Sequence, residues 1–410
     1  MAPAEVTCVS FMGAVSNLAN AAVGAGVLAF PVAFMYCGLV LGIVVSLFFA
    51  LLMGFTLHIL AVASDMSKAE SYQGVIEHAL GSTAGLVVKC SMTLYLLGAL
   101  VAYLNLIKDQ IESIAGHYPA LAKTPLDNSW VVVPIVAIGI VGPLCLLKNL
   151  DSLQFTSFLA VLSVVFLEGD VVYRSAEFLH NNGGKPAPGV INFNWSMKVF
   201  ASVPLIAFAL QCHLVFVPVY HSLAKQGGNP KLMDFVSAVT FLVCLGLYLP
   251  TGALGYMHFG TATNGDVLTN MGFHADTNVA RVCIALTGLF SYPLLMYVAR
   301  TSLSDLIDAL FTRDNKTKLV DDNWRFYGLT AGFLVTSAVV SAAVDDLSVV
   351  LGVTGSTAAV VQVFIMPGLV WNKVNSQDEN WQLHYTVGWS LVVFGVVIGA
   401  VALWQTLAPA

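Results

Sequence analysis

Residues Asn17–Pro31, with the sequence NLANAAVGAGVLAFP, lie inside an apolar run, 9–36, that is long enough to cross a bilayer as a helix. Gly24 and Gly26 weaken this helix near its middle, and Pro31 removes a backbone donor. Unpaired backbone groups are tolerated at membrane depth only where protein or a water-filled cavity surrounds them. The stretch therefore predicts a broken transmembrane helix whose half-helix ends hold a ligand. Close helix packing at the two glycines is the alternative.

The composition is that of a membrane protein. Of the 410 residues, 58% are hydrophobic and 10% are charged, and the mean hydropathy is +0.82. A soluble domain carries roughly 25% charged residues, so this chain has too few of them to cover a soluble surface. The seven cysteines lie in or beside apolar runs, which argues against a disulfide framework.

Eleven apolar segments of about 20 residues follow one another along the chain. They cover residues 9–36, 38–63, 84–108, 130–147, 153–173, 197–220, 233–258, 279–300, 325–344, 347–371 and 384–406. We interpret residues 1–410 as a single all-α, polytopic transmembrane domain. Its possible halves are a first repeat at about 9–173 and a second at about 197–371, with an extra helix at about 384–406.

The sixth segment is where an inverted repeat would place a second broken helix, and there Pro204 and Pro218 flank residues 207–213. The orientation of the chain follows from its basic residues. Eleven of the seventeen Lys and Arg residues fall on the side of the N-terminus, so we expect that side to be cytoplasmic.

Polar groups inside the segments are candidate binding residues, because each is costly in hydrocarbon. Backbone amide groups near Ala25 and Gly26, at the positive end of the second half-helix, suit a carboxylate. Carbonyl groups of Ala207 and Phe208, near the second break, suit an ammonium group. Together the two breaks predict a site for a zwitterion.

Thr287 and Ser291 are four residues apart, so their hydroxyl groups share one helix face. With carbonyl groups of the first break they can form an oxygen cage for Na⁺, or they can bond back to their own helix. Gln211 and His213 can bond a polar substrate side chain, and His213 is also the best candidate proton carrier. A lone buried histidine is, however, more often a hydrogen-bonding strut.

Charged residues are absent from both breaks, so a charged substrate side chain would be buried unpaired, at a cost of several kcal/mol. Neutral amino acids are therefore expected, with a weak preference for glutamine, asparagine, alanine or serine. Glu168 and Asp170, near the outer end of the fifth segment, are expected to be solvated interface residues.

Signatures of other classes are missing from the sequence. It has no His-Glu-x-x-His zinc motif and no Gly-x-Ser-x-Gly nucleophile turn, so an enzyme is not expected. A phosphate-binding loop is also missing, which argues against an ATP-driven pump. A channel would favour a repeated pore loop or rings of charge, and neither is found.

Several motifs together resemble those of one transporter family. They are Asn17–Pro31, Pro143–Ser157, Gln211-Cys212-His213, Ser291-Tyr292-Pro293-Leu294 and Gly352–Thr357. Over nearly its whole length the chain resembles the amino acid/auxin permeases, especially their sodium-coupled neutral amino acid transporter branch.

This resemblance implies the LeuT-type fold of two inverted five-helix repeats plus an eleventh transmembrane helix. It also implies roles for residues near the breaks. By position, the substrate carboxylate would be held by Val23, Gly24, Ala25 and Gly26, and Na⁺ by Asn20, Val23, Thr287 and Ser291.

We therefore expect a secondary active transporter of neutral L-amino acids, coupled to Na⁺ in symport by alternating access. It needs no cofactor beyond the coupling ion, binds no nucleic acid, and is a monomer in the plasma membrane or in a vacuolar or lysosomal membrane. Two alternatives stay open. One is H⁺ as the coupling ion, which plant and fungal relatives often use, and the other is a sensor that binds an amino acid without transport.

Overall fold

The computed structural model describes residues 7–118, 124–146, 154–311, 322–377 and 380–408, and all regular secondary structure in these ranges is helical. Eight of the described helices are long and apolar enough to cross a membrane, and a bent pair at the start supplies a ninth span. The chain is thus a multi-pass membrane protein, as its composition predicts.

The helices are numbered in chain order. They are α1 (Cys8–Ala22), α2 (Phe30–Cys37), α3 (Leu39–Ser67), α4 (Tyr72–Leu80), α5 (Ser82–His117), α6 (Ser129–Pro134), α7 (Gly142–Cys145), α8 (Gln154–Asn181), α9 (Val199–Leu210), α10 (His213–Ala224), α11 (Pro230–Phe259), α12 (Val267–Asn270), α13 (Ala275–Phe311), α14 (Asp322–Ala343), α15 (Leu347–Thr354), α16 (Met366–Val374) and α17 (Trp381–Leu407).

The nine spans correspond to predicted segments one to three and six to eleven. Segment four is a shorter apolar stretch, Ser129–Cys145, in which α6 and α7 are joined by a π-helical turn over Ile135–Val141. Segment five is α8, which has 28 residues and is therefore about 42 Å long. The part of the Pro143–Ser157 motif from Leu147 to Leu153 lies outside the described residues.

The first span is broken where its glycines predict. Helix α1 ends at Ala22, a 3₁₀ turn covers Ala25–Ala29, and α2 follows at an angle of 53° to α1. Pro31 lies in the first turn of α2, where its missing N–H has no helical partner to lose. The prediction of a broken first helix is confirmed.

The second break lies near the end of the predicted stretch, residues 207–213 of the sixth segment. Helix α9 ends at Leu210, Gln211 and Cys212 are not helical, and α10 begins at His213. Pro204 and Pro218 lie inside α9 and α10 instead of at the break. The two halves still count as one span, Val199–Ala224, so this break bends the chain less than the first.

The loop after α8 is held against the corner between α2 and α3. Gly38 at this corner has a φ of 87°, and a Cβ atom there would lie 2.8 Å from the backbone of Asn192. The amide group of Leu39 donates to the carbonyl oxygen of Ile191 at 2.8 Å, and that of Asn194 donates to the carbonyl oxygen of Cys37 at 2.7 Å. This loop therefore covers the end of the broken first span.

Candidate functional site

The two helix breaks lie against each other. A Cβ atom at Gly26 would stand 2.8 Å from both Cα and Cβ of Ala209, so this approach requires glycine. The hydroxyl group of Tyr248, on α11, donates to the carbonyl oxygens of Ala22 at 2.9 Å and of Ala209 at 3.3 Å. These carbonyls end the first half-helix of each break, where backbone acceptors lack helical partners. Tyr248 therefore joins the two breaks from a third helix.

The predicted carboxylate residues surround the start of the 3₁₀ turn. The first N–H groups of the turn that begins at Ala25 lie at a helix start, where backbone donors have no helical acceptor. Val23 and Ala25 are buried, and a Cβ atom at Gly24 would lie 3.0 Å from the hydroxyl oxygen of Tyr103 on α5. Gly26 packs closely against Ala209, as expected if the glycines of this stretch serve helix packing. Amide donors and a phenol hydroxyl thus meet at the first break.

Asn20 lies on the exposed face of α1. This face carries small and polar residues at helical spacing, namely Gly13, Ser16, Asn17 and Asn20. Neither asparagine hydrogen-bonds to another residue that the structure describes, so the interhelical bond expected of a structural asparagine is not formed there. A polar helix face is costly against lipid tails. The side chains of Asn17 and Asn20 are exposed and not engaged in helix packing.

Thr287 and Ser291 lie on α13. The hydroxyl group of Thr287 donates to the carbonyl oxygen of Cys283 at 3.0 Å, which is the back-bonded alternative; its lone pairs remain able to face a cation. Ser291 is half-buried and its side chain interacts with the hydroxyl group of Tyr103. Because Tyr103 also contacts Gly24, Ser291 is linked to the first break through one residue.

Gln211 occupies the second break. It is buried, and its Nε2 donates to Oε1 of Gln362 at 2.7 Å. Gln362 lies in a π-helical turn between α15 and α16, and its Nε2 donates in turn to the hydroxyl group of Ser91 at 3.4 Å. Oε1 of Gln211 has no hydrogen-bond partner among the described residues. The second break therefore offers one buried, unused acceptor.

His213 begins α10 and is fully buried. Its Nε2 lies 2.9 Å from the hydroxyl oxygen of Thr56, whose proton is donated to the carbonyl oxygen of Met53 at 3.0 Å. The imidazole must therefore be protonated at Nε2 and donate to Thr56, while Nδ1 has no partner among the described residues. His213 therefore joins α10 to α3 by a hydrogen bond, which is the structural role predicted from the sequence as the alternative to a proton carrier.

Ala207 and Phe208 lie in the last turn of α9, one turn before the break. Ala207 is buried, and the ring of Phe208 packs against that of Tyr95 with centroids 5.3 Å apart. The carbonyl oxygen of Phe208 accepts from the amide group of Gln211 at 3.3 Å. The carbonyl oxygen of Phe208, a predicted acceptor for an ammonium group, thus already accepts one hydrogen bond. The next carbonyl oxygen along the chain, that of Ala209, accepts from Tyr248.

Glu168 and Asp170 are not solvated interface residues, and this prediction is wrong. Their exposed fractions are 3% and 6%, and the carboxylate oxygens of both are buried. The reason is that α8 continues to Asn181, beyond the predicted segment end at residue 173. The two carboxyl groups therefore lie inside the helix bundle.

Comparisons with known proteins agree on a class. The family profile described as "Transmembrane amino acid transporter protein" matches residues 8–408. The chain is 28% identical over 404 residues to amino acid transporter AVT6E of Arabidopsis thaliana, covering 95% of this chain and 81% of that protein. It is 29% identical over 413 residues to sodium-coupled neutral amino acid transporter 7 of Xenopus laevis, covering 97% and 89% respectively.

A solved structure also shows a similar fold. The manganese transporter of Eremococcus coleocola superposes with a TM-score of 0.59 at 10% sequence identity, over 98% of this chain and 87% of that one. At this identity the likeness concerns the fold alone.

Proposed function

Because the chain belongs to the transmembrane amino acid transporter family, we propose that it is a Na⁺-coupled symporter of neutral L-amino acids that works by alternating access. Its relatives are transporters and not enzymes, and the described spans make it an integral membrane protein. The membrane is the plasma membrane or a vacuolar or lysosomal membrane.

The observation that carries this proposal is the meeting of two broken helices at Gly26 and Ala209. The amide end of the 3₁₀ turn at Ala25 suits the substrate carboxylate. The unused Oε1 of Gln211, with carbonyls of α9, suits the ammonium group. Neither break carries a charged side chain, so a zwitterion is balanced there while an extra substrate charge is not.

The proposed architecture has eleven spans in two inverted five-helix repeats plus a last helix. Its support is the position of the two breaks, each in the first helix of a proposed half, and the similar fold of a solved transporter. This count requires both Ser129–Cys145 and α8 to cross the bilayer.

Na⁺ is proposed to bind between α1 and α13, held by Asn20, Val23, Thr287 and Ser291. Neutral oxygens suit a small cation that has lost its water, and Ser291 is linked to the first break through Tyr103. The name of the sodium-coupled relatives supports the same ion.

The decisive experiment is uptake of labelled alanine and glutamine into liposomes that hold the purified protein, with and without a Na⁺ gradient. Saturable uptake that needs inward Na⁺ is expected, and competition by excess glutamine should exceed that by arginine or glutamate. Better competition by a charged amino acid would refute the pocket assignment. Saturable binding without flux would show an amino acid sensor instead.

A further inference from the structure

Glu168 is a buried carboxyl group that the proposed transport site does not use. It lies at the fifteenth of the 28 residues of α8, so it is about halfway along the helix. Only 3% of its surface is exposed, and neither carboxyl oxygen has a hydrogen-bond partner among the described residues. An ionisable group held inside a membrane protein in this way is expensive and points to a function.

The surroundings of Glu168 connect it to the helix breaks. Helix α8 packs against α11 and α13, and on α11 both Cys244 and Tyr248 lie within electrostatic range of the Glu168 carboxyl group. Cys244 and Tyr248 are fully buried. Tyr248 is the residue whose hydroxyl group bonds to the carbonyls of Ala22 and Ala209. Glu168 thus lies on a helix that packs against α11, the helix whose Tyr248 bonds to both breaks.

Within the described parts of the chain, no ion pair holds Glu168 as a carboxylate. The charged groups nearest along α8 are Asp170 and Arg174, and Arg174 donates to Glu177 at 2.7 Å and to Asp276 on α13 at 2.5 Å. The other α13 cation near this cluster, Arg281, donates to the side chain of Gln110 and to the carbonyl oxygen of Met271. An unpaired buried carboxylate costs several kcal/mol, so the group holds a proton unless its surroundings change.

A metal ion does not fit this position. Na⁺ and other hard cations need several oxygen ligands, whereas neither carboxyl oxygen of Glu168 has a hydrogen-bond partner among the described residues. No group of three or more His, Cys, Asp or Glu side chains suited to a metal is found among the described residues. A proton needs only one acceptor, which Glu168 supplies.

We propose that Glu168 is a proton-binding site of this transporter, separate from the Na⁺ site at Ser291. The carboxylate takes up one proton from water to form the carboxylic acid, and it returns that proton to water when water reaches it as the two breaks move. Amino acid transport then moves protons or depends on pH in addition to Na⁺. This inference rests on the proposed transport function.

Infrared difference spectroscopy of the purified protein tests the proton site without transport. A protonated carboxyl group shows a C=O stretch that shifts in heavy water, and we expect a band of this kind that is lost in Glu168→Gln and kept in Glu177→Gln. Glu177 is the matched control, since it is an exposed glutamate on the same helix. If the C=O band of the protonated carboxyl group persists in Glu168→Gln at every pH from acid to alkaline, the proposal is overturned.

Proteoliposomes with a pH-sensitive dye inside then test the link to transport. Alanine should drive proton entry with the wild-type protein and with Glu177→Gln, but not with Glu168→Gln. Glu168→Asp keeps a carboxyl group and should retain proton entry with a shifted pH midpoint, which excludes simple misfolding. Proton entry that persists in Glu168→Gln would refute the inference. Absence of any alanine flux in the wild type would refute the proposed function instead, while the infrared result would stand on its own.

Discussion

Replacing Tyr248 with phenylalanine removes a hydroxyl group that joins the two breaks. The ring stays in place against Phe30, whose centroid lies 4.9 Å away, but the carbonyl oxygens of Ala22 and Ala209 lose their donor. A buried acceptor left without a partner costs about 1–3 kcal/mol. Because the two carbonyl oxygens share a single hydroxyl proton, we expect the free energy of unfolding to fall by this amount in total, not by this amount for each carbonyl group.

Tyr256→Phe is the matched control on the same helix. Tyr256 is also buried, and its hydroxyl oxygen accepts from the amide group of Ile191 at 3.1 Å, in the loop after α8 and away from the breaks. Both variants should lower the apparent melting temperature in detergent. Only Tyr248→Phe should also lower the maximal rate of alanine uptake per folded protein, by about tenfold if about 1.4 kcal/mol of positioning is lost.

Uptake rates that fall equally in the two variants would show that Tyr248 is an ordinary structural tyrosine. A Tyr248→Phe protein with unchanged stability and unchanged uptake would refute the hydrogen bonds as a link between the breaks. Either result is read from the ratio of the two variants, so differences in expression do not enter.

Three further predictions follow from single positions. Gly26→Ala forces a Cβ atom to within 2.8 Å of Ala209 and should destabilise the protein by about 1–3 kcal/mol, measured by thermal unfolding, whereas Gly13→Ala, with nothing within 4 Å, should not. Ser291→Ala should raise the Na⁺ concentration for half-maximal uptake by about tenfold, as expected for about 1.4 kcal/mol; an unchanged Na⁺ dependence would exclude Ser291 as a ligand. Burial raises the pKa of Asp266, in the loop before α12, to about 6, so the folded chain binds its proton more tightly than the unfolded chain. The free energy of unfolding should then fall as the pH rises from about 4 to about 6, and Asp266→Asn should reduce this fall in pH-dependent melting curves.

The first break could be predicted from the sequence because its cause is local. Gly24 and Gly26 weaken the helix themselves, and Pro31 limits where the next half-helix can begin. The second break was located only to a stretch between two prolines. Neighbouring helices tolerate a proline inside a membrane helix by satisfying the freed backbone groups, so Pro204 and Pro218 remain helical and the chain opens at Gln211 instead.

The sequence points to the backbone groups at the breaks but not to the side chains that reach them. Tyr103, Tyr248 and Gln362 reach the breaks from helices far away in the sequence, and nothing in their local pattern separates them from other residues of apolar runs. The sequence predicts Glu168 at the interface because the apolar segment ends soon after it. Its burial depends on the packing of α8 against α11 and α13.

Composition and hydropathy alone determined that this chain is a polytopic membrane protein, since so few charged residues cannot solvate a surface of this size. Local backbone chemistry determined that its first span is broken. Only the tertiary structure decided which groups meet at that break. The choice of Ala209 as the neighbour of Gly26, and of Tyr248 as the donor to both half-helices, depends on how three helices are rotated and shifted against one another. That register is a property of the packed bundle, because each helix face is apolar enough to accept several neighbours and only their joint packing selects one.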